Sequence, residues 1–484
     1  MSEATPETAV PEASGHSANA TRNSILYLVG ALAQGVGVFL FQPFALHLLN
    51  SDSQWQELFL SISVIQVGVI LAAAGLPLAI TKAWFDPDGA AKARAISGFL
   101  GLGGIILGVG AAVIYSAVTG TLSHPGSFAI ALVAMGFQSC VLGAQAILRA
   151  QGRAVMFVVL SLTSSMVAYA GGLVAMLLFG SRATVFMAGY AVMVVLSALL
   201  SVAVARPAMP FSHEGAVKEA IAVGLPALPH TGALMLLTQG APFLLAALAA
   251  PGVSGNYGKV QIFVLGTVTL LGALNNVWVP SLMAVRGPAR VERMRSTMKV
   301  AVAAAVAVTV IAASGANLVV HLMAGGRTEL IPVAQVMPLL AMGYVLYLNA
   351  STLLFADGVT WWLSVVTPAV LVVSIGLAWW PAVHGDLVGV AVSSVVSFLL
   401  LGLAYLLVAG KRAAGGWPMG VFLLGCAVVL IYVGGLRLLP TDLLTGLLTV
   451  ALVTALIVGG VLFKLSRVRR AARATSAGKD GSDV

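Results

Sequence analysis

The sequence predicts an all-α polytopic membrane protein of about fourteen transmembrane helices, which an internal repeat arranges as two six-helix bundles related by a parallel pseudo-two-fold, plus two C-terminal helices. Three observations predict the membrane crossings. Of the 484 residues, 60% are hydrophobic and 8% are charged, whereas about a quarter of a soluble domain is charged. The apolar residues gather in fourteen runs of 20 residues or more, the length needed to cross roughly 30 Å of hydrocarbon. Finally, Lys and Arg alternate sides along those runs, and 21 of the 25 fall on one side, as the positive-inside rule requires.

Taken in order, residues 1–21 are rich in Ser, Thr, Ala, Pro and Glu without an apolar core. They read as a disordered tail rather than a signal peptide. Six spans follow at 24–49, 58–80, 95–119, 127–148, 154–179 and 184–205. Six more fall at 219–249, 259–283, 298–323, 331–355, 361–381 and 387–409, and a last pair at 417–436 and 442–463. The expected units are therefore bundles over 22–210 and 211–412, two extra helices over 413–465, and a basic tail over 466–484.

With the N-terminus placed in the cytoplasm, the inner loops carry Lys82, Lys92 and Arg94, Arg149 and Arg153, and five basic residues between Arg286 and Lys299. The outer loops hold Arg182, Arg327 and Arg437, and Lys259 stands alone at the outer start of span eight. Both termini come out cytoplasmic, in a plasma membrane. The net charge of +9 is accounted for by orientation and anionic lipid, so nucleic acid is not implied. Cys140 and Cys426 lie inside apolar runs, which implies neither a disulfide framework nor a metal site. No loop is long enough for a folded domain, and no nucleophile–base pair or phosphate-cradling Gly loop survives this topology. The expectation is a protein that is not an enzyme and uses no cofactor.

A weak repeat recurs at about 200 residues. Trp55 precedes Pro77 by 22 residues, and Tyr257 precedes Pro280 by 23. Both stretches run in the same direction, the arrangement of parallel transporter repeats. The alternative is chance recurrence of interfacial aromatic residues and of Pro near span ends.

These residues also carry a family resemblance. An Arg-Asn precedes span one, Trp55 and Glu57 end the next loop, and Gly75-Leu76-Pro77 closes span two. Gly224-Leu225-Pro226 opens span seven, Gly255 and Tyr257 follow it, and Trp278 with Pro280 closes span eight. In order and spacing the chain, over roughly residues 22–465, resembles the polysaccharide biosynthesis (Wzx-type) flippases of the multidrug/oligosaccharidyl-lipid/polysaccharide exporter superfamily. The resemblance implies two six-helix bundles around a central cavity. It also implies movement of undecaprenyl-diphosphate-linked saccharide from the cytoplasmic to the outer leaflet, with glycan polymerases or glycosyltransferases of the same pathway as partners. Relatives often show an Asn or Asp and a basic residue in the second half of span seven. Here Gln239-Gly240-Ala241-Pro242 stands there, so that site is not carried over.

Such a substrate makes definite demands. A diphosphate needs cations before it enters a low-dielectric space. The basic candidates are Arg22, Lys82, Arg149 and Lys259, each with the alternative of setting orientation or snorkelling to the interface. Saccharides need amides and aromatic faces. The candidates are Gln34, Gln66, Gln239, Gln261, Asn275 and Asn276 with His230, and Gln138, Gln145 and Asn349 also lie within spans. For each the plainer role is an interhelical hydrogen bond, and for His230 a packed polar group. His230 and Gln239 are nine residues apart and face opposite ways on a regular helix, unless Pro226, Pro229 and Pro242 break it. None of the sixteen acids lies at the centre of a span, which disfavours cation-coupled drug antiport because that usually needs a buried carboxylate. Asp357 is the best remaining acid, with a turn role as its alternative. The reading is a lipid-linked oligosaccharide flippase working by alternating access. Its rivals are a lipid II or teichoic acid precursor flippase, a multidrug antiporter of the same fold and, with less support, a membrane glycan polymerase or ligase.

Overall fold

A computed structural model describes residues 26–480 except 28, 31, 32, 34, 36, 38, 39, 50, 284, 286, 358, 360 and 411–416, and leaves out the side chains of 276, 277, 280, 281, 283, 461, 464, 465 and 468–480. The described residues form helices and turns, with no strand among them. Thirteen helical stretches among them are long and apolar enough to cross a membrane. They match expected spans two to fourteen, and the described residues between 26 and 48 are also helical. The chain is a multi-pass membrane protein.

The helices are α1 (the described residues between 26 and 48), α2 (Asp52–Ala73), α3 (Leu76–Ala83), α4 (Gly89–Val118), α5 (Ser127–Ala150), α6 (Ala154–Leu162), α7 (Ala168–Phe179) and α8 (Ala183–Ala205). There follow α9 (Ala216–Gly224), α10 (Leu228–Leu248), α11 (Val253–Val260), α12 (Ile262–Met283), α13 (Pro288–Ser314) and α14 (Ala316–Met323). The last are α15 (Ile331–Val336), α16 (Leu340–Ala356), α17 (Trp361–Val383), α18 (Leu387–Ala409), α19 (Met419–Leu436) and α20 (Leu443–Asp480).

Local chemistry explains where these helices depart from the expected spans. Span two starts at Asp52 rather than 58, because the Ser51 hydroxyl accepts from the Gln54 amide (3.3 Å) and caps the first turn. It breaks at Ala74 (φ 44°) and Gly75 (φ 72°), and the chain resumes as α3 with Pro77 in its first turn. A β-carbon on Gly75 would lie 2.7 Å from the Gly224 carbonyl oxygen. The two Gly-Leu-Pro motifs therefore meet glycine to glycine, and the second one tightens into a 3₁₀ turn over Leu225–Ala227. α6 and α7 make one span joined by a π-turn over Thr163–Val167. There the Ser165 hydroxyl donates back to the Ser161 carbonyl (2.6 Å), the kind of bond that loosens a helix. α13 starts ten residues early with Pro288 at its head, where a missing N–H costs nothing. Past its span α20 continues as helix to Asp480, so the described part of the expected basic tail is helical. Asp442 precedes α20 and accepts from the Thr445 amide (2.8 Å) and hydroxyl (2.7 Å). These bonds hold its carboxyl below the usual carboxylate value.

The chain divides into two compact units, one of residues 1–48 and 61–228, the other of 49–60 and 229–484. In the first, α4 packs along α5, and α8 packs on α5 and α7, around Ile80, Leu100, Ile147 and Leu160. In the second, α16 is central: every residue from Leu340 to Leu354 is buried, as expected of a helix apolar on all sides. α12, α13 and α18 pack against it. The first nine residues of α2 belong to the second unit and the rest to the first.

Candidate functional site

The second unit holds most of the expected polar residues. In α10, Pro242 has no N–H, so the Thr238 carbonyl loses its helical partner. The Gln261 side-chain amide donates to that carbonyl (3.2 Å) and to the Gln239 side-chain oxygen (3.2 Å). Gln239 and Gln261 are 2% and 1% exposed, and the structure brings them together as one interhelical contact. Across the same break the Ser254 hydroxyl donates to the Pro242 carbonyl (2.8 Å).

His230 lies near the start of α10 and bonds in another direction, as its 180° offset from Gln239 requires. Its Nδ1 is 2.8 Å from the Thr367 hydroxyl and 3.3 Å from that of Tyr405, and its Nε2 is 3.2 Å from that of Tyr347. The Thr367 and Tyr405 hydroxyls are 2.7 Å apart. Tyr344 stacks on Tyr347 at 5.7 Å, and Tyr347 meets Tyr405 edge to face at 5.1 Å. All five side chains are buried. Four helices, α10, α16, α17 and α18, thus converge on one imidazole whose nitrogens both face hydroxyls.

At the end of this unit opposite its basic loops, Lys259 is 3% exposed. Its Nζ bonds Asp52 Oδ1 (2.8 Å) and Asn256 Oδ1 (3.3 Å). Arg327 bonds the same two residues, Nη2 to Asp52 Oδ2 (2.5 Å) and Nη1 to Asn256 Oδ1 (2.7 Å). Beside them Trp55 Nε1 donates to the Gly255 carbonyl (3.0 Å), and the Gln56 side-chain oxygen accepts from the Gly252 amide (2.8 Å). Asp357 accepts from Arg290 (2.7 Å), an ion pair that ties the turn after α16 to the head of α13.

The remaining expected residues are dispersed. Gln66 is half-buried and hydrogen-bonds Tyr169, which meets Tyr190 edge to face at 5.2 Å. Lys82 is exposed, beside a cluster in which Lys92 pairs with Asp86 (3.4 Å) and Glu219. Arg149 is exposed, with its guanidinium 5.7 Å from the Phe157 ring centre. Asn275 accepts from Trp278 Nε1 (2.7 Å). Gln145 donates to Ser161 (3.0 Å) and Asn349 to the Val345 carbonyl (2.9 Å). Arg22 and Gln34 lie outside the described residues, as does the side chain of Asn276.

Sequence reasoning missed the partners. Asp52 and Arg327 around Lys259, and Tyr347, Thr367 and Tyr405 around His230, come from distant segments, while Asn256 lies one turn before Lys259 on α11. The available signal for the first set was charge: Lys259 is the single Lys among the expected outer segments, and Asp52 is one of the few acids that fall there.

No protein-family model and no curated protein matches the chain. Solved structures do match in fold. A multidrug resistance MATE family transporter of the MOP superfamily, in an outward-facing conformation, aligns with TM-score 0.58 and 17% identity over 82% of this chain and 96% of that one. An inward-facing conformation of such a transporter aligns with TM-score 0.60 and 14% identity over 80% of this chain and 95% of that one. The fold is that of MATE transporters. A MOP superfamily transporter from Pyrococcus furiosus, described as having a binding pocket of reversed polarity that suggests a different function, aligns at TM-score 0.53 and 17% identity over 82% of this chain and 95% of that one. The MATE fold thus spans nearly the whole of each neighbour, at identities that speak for the fold alone.

Proposed function

We propose that this chain is a flippase, carrying an undecaprenyl-diphosphate-linked oligosaccharide from the cytoplasmic to the outer leaflet of the plasma membrane by alternating access. Both termini would be cytoplasmic. Its partners would be the lipid-linked saccharide, membrane lipid, and the glycosyltransferases or glycan polymerase that make and use that substrate, and no nucleic acid. The MATE-like fold supports a carrier, since neighbours of that fold exist in both outward- and inward-facing forms.

The observation that carries the choice of substrate is the character of the buried polar groups. Among the described residues no Asp or Glu is buried, and Lys259 is the one buried charge. What is buried instead is amide, hydroxyl and aromatic, the chemistry that meets saccharides. Gln138, Gln261 and Asn349 each keep a buried side-chain oxygen without a protein partner. A cation-coupled exporter usually needs a carboxylate where this chain has none. The second reading, multidrug export, rests on the neighbours' fold. A lipid II or teichoic acid precursor presents the same lipid-phosphate chemistry and differs only in its headgroup. Candidate contacts remain Arg22, Gln34, Gln66, Lys82, Arg149, His230, Gln239, Lys259, Gln261, Asn275 and Asn276.

The test is reconstitution in liposomes with a fluorescent, short-chain lipid-diphosphate oligosaccharide, read by the fraction open to external glycosidase. Protein-dependent translocation supports the reading. Liposomes that move cationic dyes against a proton gradient but leave the saccharide in place would replace it with drug export.

A further inference from the structure

Four basic residues lie outside the basic loops: Arg182, Lys259, Arg327 and Arg437. Two of them, Lys259 and Arg327, are 68 positions apart in sequence and yet converge on one carboxylate. Each Asp52 oxygen takes one cation, Oδ1 from Lys259 (2.8 Å) and Oδ2 from Arg327 (2.5 Å), and Asn256 Oδ1 braces both donors at 3.3 and 2.7 Å. Charge-assisted donors arranged around two oxygens of one group are how proteins hold carboxylates and phosphates alike. Lys259 forms the buried wall of this cluster, with its side chain 4% exposed, while Arg327 and Asp52 stand at its mouth with side chains 36% and 43% exposed. One carboxylate also neutralises only half of the two positive charges, so a doubly anionic diphosphate matches them better. Asp52 further stands on the one segment, 49–60, that belongs to the second unit while the rest of its helix belongs to the first.

We infer that Lys259 and Arg327, braced by the Asn256 side-chain oxygen, form a diphosphate-binding site at the end of the second unit opposite the basic loops, with the Asp52 carboxylate as its internal competitor. When Asp52 withdraws, the two cations hold an anionic headgroup. When it returns, the headgroup is displaced. The site names the group that would handle the diphosphate of a lipid-linked substrate at the outer leaflet, and to that extent it rests on the transport reading above.

The experiment measures binding of inorganic diphosphate to the purified full-length protein in detergent, by calorimetry and by thermal shift. Asp52→Asn keeps the shape of residue 52 and removes its charge. It is expected to bind at least tenfold more tightly than the wild type and to gain thermal stability from diphosphate that the wild type does not gain. Adding Lys259→Gln is expected to abolish the gain. A folded Asp52→Asn protein that binds no more tightly than the wild type overturns the site, as does an equal gain with inorganic sulfate. Should Asp52→Asn not fold, weak diphosphate binding by the wild-type chain and its loss in Arg327→Gln carry the same decision. The saccharide assay is separate. Translocation without any gain of binding overturns this site alone, and gain of binding without translocation overturns the transport reading alone.

Discussion

Gln261 repairs what Pro242 breaks. A carbonyl without a partner in a membrane span costs on the order of 1–3 kcal/mol, and water is not at hand to satisfy it. Gln261→Leu is therefore expected to destabilise the protein by about that amount. In a Pro242→Ala background the helix recovers its own N–H, and the same change should cost much less. Thermal unfolding of the four proteins in detergent checks this, and equal costs in both backgrounds would refute it. At His230 the logic is similar. His230→Ala leaves three buried hydroxyls facing a void and should lower the unfolding midpoint clearly. His230→Gln supplies both a donor and an acceptor and should keep most of the stability. The same two proteins in the saccharide assay separate packing from transport. Neither His230 nor Gln261 reveals its partner from sequence, because Thr367, Tyr405 and Thr238 reach it only through helix crossings that periodicity does not encode.

Helices in a bilayer gain nothing from leaving water, so close packing of small residues decides which of them meet. α16 and α18 cross where a β-carbon on Gly402 would stand 2.6 Å from the Gly343 carbonyl oxygen. One on Gly343 would strike the backbone of Phe398 and Leu399. Neither backbone can yield locally, so Gly343→Ala is expected to cost at least the roughly 1–3 kcal/mol typical of overpacking. Thermal stability and folded yield would show it. α17 lies at the other extreme. Its Trp361 and Trp380 are 57% and 72% exposed, and at 1.5 Å per residue they stand about 28 Å apart. That separation suits aromatic anchors at the two faces of a bilayer. Both features were legible as residue types in the sequence, but only the crossing shows which glycine is indispensable.

For the whole molecule, the placement of basic loops makes a topological prediction. In a chain stripped of Cys140 and Cys426, single cysteines at Ser212 and Ser296 should react with a membrane-impermeant thiol reagent only from the cytoplasmic side. Cysteines at Ser123 and Gly385 should react only from outside. Reversed labelling would invert the topology and move Lys259 and Arg327 to the inner face. Element positions were read well: thirteen expected spans reappear as helices, most with ends shifted by a few residues and one, α13, by about ten. One misreading falls at a tertiary contact, the Gly75–Gly224 approach; the other two follow from local chemistry, the Ser51 cap and Pro288 at the head of α13.

By itself the sequence determined that this protein lives in a membrane, where thirteen of its spans fall, and which loops bear the charge. Those properties follow from hydrocarbon thickness and the cost of burying charge, and both act on each segment separately. Only the tertiary structure decided that Lys259 and Arg327 share Asp52, that His230 faces three hydroxyls and that Gln261 answers Pro242. Each of these joins residues distant along the chain, and what selects the partner is the complementarity of helix surfaces, which one-dimensional periodicity does not record.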